Sequence, residues 1–263
     1  MGFSADWLSL REPADHAARD AGLALQAMRV AGPAPVIVDL GSGTGSTMRA
    51  MATLKRGVIW HLVDHDAGLL SRAAAAPDDM VHTHICDLGA LDALPLDAAT
   101  LVTASALLDL CAEDWLRNLA RRIAARGLPF YAALSYDGVM DWSITDPADA
   151  EIVAAFSTHQ RGDKGFGKAL GPDAAPAAAR IFGDLGYVTH VADSPWRLGP
   201  AQADLQRDFI EGVGQAAAEA GSPAARDWVA RRQAQIAEAR CHIGHQDILA
   251  LPPHLAARAQ GAT

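Results

Sequence analysis

The side chains best suited to hold a ligand sit where hydrophobic runs stop. Residues 36–45 read Val-Ile-Val-Asp-Leu-Gly-Ser-Gly-Thr-Gly, an apolar run that meets a carboxylate, Asp39, and then breaks into Gly41, Ser42, Gly43 and Gly45. From Ser46 onward Met48, Met51 and Leu54 recur at helical spacing, so the segment predicts a strand, a tight loop and a helix. Glycines let such a loop take positive φ and let a ligand lie against bare backbone, while the helix start offers unpaired N–H groups. The alternative is a turn in which glycine serves geometry alone. Two later runs also end in acids: residues 57–63 run into Asp64, His65 and Asp66, and residues 80–86 into Asp87 and Leu88.

Two ligand chemistries compete for the loop. A dinucleotide fingerprint, GxGxxG, rests a pyrophosphate on the helix N-terminus, but here the third glycine comes one residue early. A fixed carboxylate at Asp39 repels a pyrophosphate and attracts a cation, so a ligand carrying an ammonium and a sulfonium fits better. The pattern Asp39-x-Gly41-x-Gly43-x-Gly45 resembles the first motif of the class I S-adenosylmethionine-dependent methyltransferases. The resemblance implies that Asp39, Gly41, Ser42, Gly43 and Gly45 hold the amino acid end of S-adenosylmethionine. It implies further that Asp64, with His65 beside it, accepts the ribose hydroxyls in preference to Asp66, and that Asp87 and Leu88 meet the adenine. Taken alone, an acid after a strand is only a cap for the next helix, here residues 67–76.

The elements that would position these groups alternate. Strands are expected near residues 36–40, 57–63, 80–86, 99–105 and 128–136, with helices between, a pattern that predicts a parallel sheet covered on both faces. Ligands then bind outside the strand carboxyl ends, where Gly41, Asp64, Asp87, Ser105 and Tyr136 all fall. Ser105 is accordingly grouped with the cofactor residues, and Asp109 just beyond it with the acceptor. Residues 105–108, Ser-Ala-Leu-Leu, lack the Asn/Asp-Pro-Pro-aromatic sequence of the methyltransferases that modify amino groups of DNA bases.

The expected fold is thus a Rossmann-like class I methyltransferase sheet, mostly parallel with the last strand antiparallel. Residues 1–34 form an N-terminal helical cap and residues 35–263 the methyltransferase domain. A polar, aromatic-bearing stretch at 137–172 reads as a substrate lid or a solvated excursion. Helices near 201–220 and 223–239 form an insertion, 200–240, before the last strand, suited to shaping an acceptor pocket or a dimer interface. Because a free imidazole can exchange a proton near neutral pH, a histidine suits the role of base, and His159 is the first candidate, followed by Tyr136 and Asp137. Asp141, Trp142, Arg161 and Lys164 are the remaining candidates for binding the acceptor. His245 and Asp247 form a further pair, read as structural.

Composition narrows the partners. The chain has 263 residues, half of them hydrophobic, and a formal charge of −9 with scattered basic residues, which argues against nucleic acid. Cys86, Cys111 and Cys241 show no metal-ligand spacing and read as reduced core thiols, and no metal is expected. No apolar run approaches the roughly 18 residues of a membrane span, so a cytoplasmic protein free of membrane is expected, with a homodimer as one arrangement left open. The expected reaction transfers a methyl group from S-adenosylmethionine to a small polar metabolite at oxygen or nitrogen. The alternatives are a non-catalytic S-adenosylmethionine-binding subunit and transfer of another group of the same cofactor.

Overall fold

The computed structural model describes residues 3–73 and 79–260. Two helices lead, α1 (Ala5–Ala18) and α2 (Ala21–Val30). Each starts on a side-chain cap: Trp7 N–H donates to Ser4 Oγ (3.1 Å) and Leu23 N–H to Asp20 Oδ1 (2.7 Å). There follow β1 (Val36–Leu40), α3 (Ser46–Met51), β2 (Ile59–Asp64), α4 (Ala67–Leu70), β3 (Met80–Ile85), β4 (Leu101–Ser105), α5 (Glu113–Ala125) and β5 (Phe130–Trp142). The end of the helix expected over 67–76 lies outside the described residues. Then come α6 (Asp149–Gln160), α7 (Ala174–Asp184), β6 (Val188–Asp193), β7 (Trp196–Leu198), α8 (Ala203–Glu219), α9 (Ala225–Gln235), β8 (Cys241–Leu251) and α10 (Pro253–Gln260).

Among the described residues the strands make one sheet in the order β3-β2-β1-β4-β5-β8-β6, with β7 paired to the start of β8. Strands β1 to β5 pair in parallel, and β8 runs antiparallel between β5 and β6. β1 and β4 are buried on both faces, so they are mainly apolar, and their buried polar members, Asp39 and Thr103, are hydrogen-bonded to each other. One core packs α5 and α7 on one face of the sheet, through residues such as Leu116, Ile123, Ile181 and Phe182. A second packs α2 and α3 on the other. A third, with Trp142, Trp196, Trp228 and Ile243, lies beneath α8 and α9. No helix among the described residues is long and apolar enough to cross a membrane.

Strand β5 departs from its expected length. Its pairing with β8 resumes beyond two register shifts, through Met140↔Ile243 and Trp142↔Cys241, so the strand continues well past Tyr136. Asp137, Asp141 and Trp142, expected in a polar excursion, therefore sit on a strand. The pairing energy that holds them there comes from β8, a segment remote in sequence. The short strand β7 and the closing helix α10 were not expected.

Candidate functional site

The carboxyl ends of β1, β2, β3 and β4 open into a cavity of about 440 Å³. Gly41, Ser42, Gly43, Asp64, His65, Asp87, Leu88 and Ser105 line it, together with Thr44, Thr47 and Phe166. Gly41 (φ +62°) and Gly43 (φ +53°) take the left-handed conformation. A Cβ on Gly43 would come within 3.1 Å of Leu8 in α1, so the loop and the N-terminal helix approach too closely for a side chain.

Asp64 organises this loop. Its Oδ2 accepts from Gly43 N–H (2.8 Å) and its Oδ1 from Asp66 N–H (3.0 Å), while His65 Nδ1 lies 3.3 Å from Oδ1. Both oxygens are held rigidly at the cavity wall with lone pairs left for hydroxyl donors. Asp87 Oδ1 accepts from Gly89 N–H (2.8 Å), and Trp115 Nε1 donates to the Leu88 carbonyl (2.7 Å), which fixes Leu88 as an apolar wall. Ser105 Oγ accepts from Arg19 (2.9 Å) at the α1–α2 corner.

Asp39 is placed differently from expectation. It is fully buried and lies outside the cavity lining, where Oδ1 accepts from Thr103 Oγ1 (2.8 Å) and Oδ2 has no hydrogen-bond partner. Burial raises its carboxyl to about 6, against the opposing effects of Thr103 and Arg19. Its side chain reaches toward Thr103 on β4 and is not part of the cavity lining. Gly45 also falls outside the lining. It caps α3, where a Cβ would crowd Met48 and Ala73.

A second cavity, of about 400 Å³, adjoins the first and shares with it Phe3, Arg11, Ala106, Leu110 and Lys164. Its walls are mainly apolar and aromatic: Trp7 from α1, Tyr136 and Met140 from β5, Phe156 from α6, Trp196 from β7, Phe209 and Val213 from α8, and Ile243 from β8. Asp109, His159 and His245 also face it. Two non-glycine residues on its boundary hold positive φ, Ala106 (48°) and Leu134 (58°). Such backbone strain persists only where the surroundings enforce it. At Leu134 the enforcing group is the buried Asp247, which accepts from Leu134 N–H (2.9 Å), Tyr131 Oη (2.8 Å) and Asp20 N–H (3.0 Å).

Several candidates, Asp137, Asp141, Trp142 and Arg161, lie outside the lining of both cavities. Strand alternation turns Asp137 away from Tyr136 and the cavity, and its carboxylate lies against Gly244, with Oδ1 accepting from Val139 N–H (2.9 Å). Asp141 is exposed opposite His242, outside both cavities. Trp142 is buried against Trp228, with the Arg232 guanidinium 4.5 Å from its ring centroid. Arg161 pairs with Asp173 (3.0 Å) and ties down the following loop. His159 does reach the cavity, but its Nε2 is 2.9 Å from Glu219 and its Nδ1 is 3.2 Å from Lys164 Nζ, so both ring nitrogens are engaged. That chain holds Lys164 at the wall common to the two cavities.

The sequence reading missed Arg11, Trp196 and Phe209. Arg11 is buried, pairs with Asp15 through two bonds (2.8 and 3.1 Å) and lies 5.0 Å from the Trp196 ring centroid. Trp196 in turn donates to Asp15 (2.9 Å). They lie one each on α1, β7 and α8, and none belongs to a local motif.

No family model and no curated protein matches the chain. Solved structures do. A cyclopropane-fatty-acyl-phospholipid synthase-like protein from Lactobacillus casei matches over 94% of both chains with 17% identity and a TM-score of 0.54. The cyclopropane synthase MmaA2 from Mycobacterium tuberculosis matches over 94% of both chains with 11% identity and a TM-score of 0.54. A candidate type II methyltransferase from Anaeromyxobacter dehalogenans covers 89% of this chain and 96% of its own, with 15% identity and a TM-score of 0.52. With the strand order and the strand-end cavity, these likenesses establish that the chain has the Rossmann-like fold of the class I S-adenosylmethionine-dependent methyltransferases.

Proposed function

We propose that the chain is an S-adenosylmethionine-dependent methyltransferase acting at oxygen or nitrogen of a small molecule seated in the second cavity. The observation that carries this reading is the pair of abutting cavities with a common wall at Arg11, Ala106, Leu110 and Lys164. The residues present suit the cofactor. Gly41 and Gly43 leave a bare backbone cradle, Ser42 Oγ is buried with no partner, and Asp64 offers acceptor oxygens at the cavity wall. When bound, S-adenosylmethionine supplies an electrophilic methyl group on a sulfonium.

The protein's own contribution is positioning and exclusion of water. Its loop and the end of β2 hold one reactant, the aromatic walls hold the other, and α1 with the segment carrying Lys164 closes over both. Fixing two reactants in line in this way supplies much of the rate of such a displacement. Calorimetry with S-adenosylhomocysteine tests the cofactor site, and incubation of the protein with S-adenosylmethionine and a metabolite extract tests turnover. Saturable binding and formation of S-adenosylhomocysteine with a methylated product are expected, and absence of any binding heat would overturn the reading.

A further inference from the structure

The geometry points to an acceptor with an apolar, ring-bearing body and an O–H or N–H nucleophile, with Asp109 as the catalytic residue that receives the proton. This inference rests on the methyl-transfer reading and identifies the acceptor chemistry of the same site.

The body follows from the walls. Trp7, Phe156, Trp196 and Phe209 line the second cavity with Met140 and Ile243, and Trp196 carries Trp7 (6.5 Å) and Phe209 (5.9 Å) beside its ring. A small polar metabolite would leave those surfaces wet, whereas a ring system removes them from water and stacks on them. The cavity volume is that of a small-molecule site.

The nucleophile follows from the polar atoms among those walls. Asp109 stands in the turn directly after β4, is 8% exposed, and its Oδ1 is buried without a hydrogen-bond partner. Tyr136 Oη and His245 Nδ1, facing the same cavity, are likewise buried without partners. A buried carboxylate oxygen with no donor is expensive, and a ligand that brings a donor relieves it. Arg11 from α1 is the opposing charge acting on Asp109, but its own hydrogen bonds go to Asp15. Tyr136 on β5 and Cys111 on the following turn are the other titratable neighbours, and His245, His159 and Lys164 complete the charged or titratable lining. His245 is held neutral, near 3, first by burial and then by Arg11. Burial raises the Asp109 carboxyl to about 6, so at neutral pH it is ionised and a stronger base than a solvated aspartate.

In the step itself the acceptor's oxygen or nitrogen lone pair forms the bond to the methyl carbon as the carbon–sulfur bond breaks. The bonding pair returns to sulfur, leaving a neutral thioether, and the acceptor's proton goes to Asp109 Oδ1. Charge and atoms balance: cationic sulfonium and anionic carboxylate become thioether and carboxylic acid.

The test uses the full chain loaded with S-adenosylhomocysteine, whose binding is first verified by calorimetry. Loss of that binding would overturn the methyl-transfer reading and this inference with it. With binding intact, 1-naphthol, 1-naphthylamine and 2-aminoethanol are titrated in turn. At least one naphthyl probe should bind and the small polar probe should not, and the naphthyl probe that binds and is methylated with S-adenosylmethionine shows whether oxygen or nitrogen is the acceptor. Asp109→Asn should retain S-adenosylhomocysteine affinity, since Asp109 lies outside the first cavity, bind the naphthyl probe at least fivefold more weakly, and lose about 100-fold or more in turnover. In the wild type, kcat/KM should fall as pH drops through about 6. No binding of either naphthyl probe, a variant equal to wild type, or a wild-type profile flat between pH 5 and 7 would each overturn the inference while leaving the cofactor reading standing.

Discussion

Replacing Asp64 by Asn removes a charge while keeping the side chain's shape, and it tests how the glycine loop and the cofactor site are coupled. In the wild type the two carboxylate oxygens accept Gly43 N–H at 2.8 Å and Asp66 N–H at 3.0 Å. In Asp64→Asn one of those positions becomes an NH2 that faces a backbone donor, so one bond is lost whichever way the amide turns. A ribose hydroxyl pair would also trade a charge-assisted acceptor for a neutral one. A hydrogen bond to a charged group contributes about 1.5–3 kcal/mol, which corresponds to roughly 10- to 150-fold in affinity. Titration calorimetry with S-adenosylhomocysteine should therefore show a Kd raised by that factor. Thermal unfolding without ligand should show a smaller loss, a few degrees, because a domain of this size shifts by about 2–4 °C per kcal/mol. A Kd within twofold of wild type would refute the assignment of Asp64 to the ligand, and an unchanged Tm would refute its role in bracing Gly43.

Two stability predictions follow from buried acids of opposite character. The Asp39 carboxyl is raised to about 6 by burial, so ionising it opposes folding and stability declines as pH rises from about 4 to 6. Asp39→Asn should be more stable than wild type at pH 8, by up to about 3 kcal/mol, and equal to it near pH 4 in urea unfolding. A variant less stable at pH 8 would contradict the cause given for the shift. Asp146 is the reverse case. Arg231 beside it, at 2.6 and 2.9 Å, holds the carboxyl down to about 2, so this stabilisation is present above pH 4 and is lost as pH falls toward 2. Melting curves of Asp146→Asn and wild type should converge between pH 4 and 2, and curves that stay parallel would count against the pair.

The features legible in the sequence are those whose chemistry is local in the chain. Gly41, Gly43, Asp64 and Asp87 each sit at a strand's end, and the alternation of strands and helices already puts all those ends on one side of a parallel sheet. Asp39 was legible as an acid but not as an inward-facing one. Its direction is set by Thr103 on β4, which the local sequence does not contain. Asp137, Asp141 and Trp142 were misplaced because β5 owes its length to β8, about a hundred residues away, while the turn residue Gly138 in between reads as an end of strand. The acceptor cavity was the least legible part. Its walls come from α1, β5, α6, β7, α8 and β8, and only tertiary packing brings Trp7, Trp196 and Phe209 together.

The Asp247 carboxylate clasps three parts of the molecule at once: the first residue ahead of α2, the irregular backbone at Leu134 and the Tyr131 hydroxyl. Swinging the leading helices outward would strand that fully buried anion, a far heavier penalty than parting the exposed contacts around Arg161, Asp163 and Asp173. The leading helices are thereby pinned to the sheet as a fixed jamb beside the crevice.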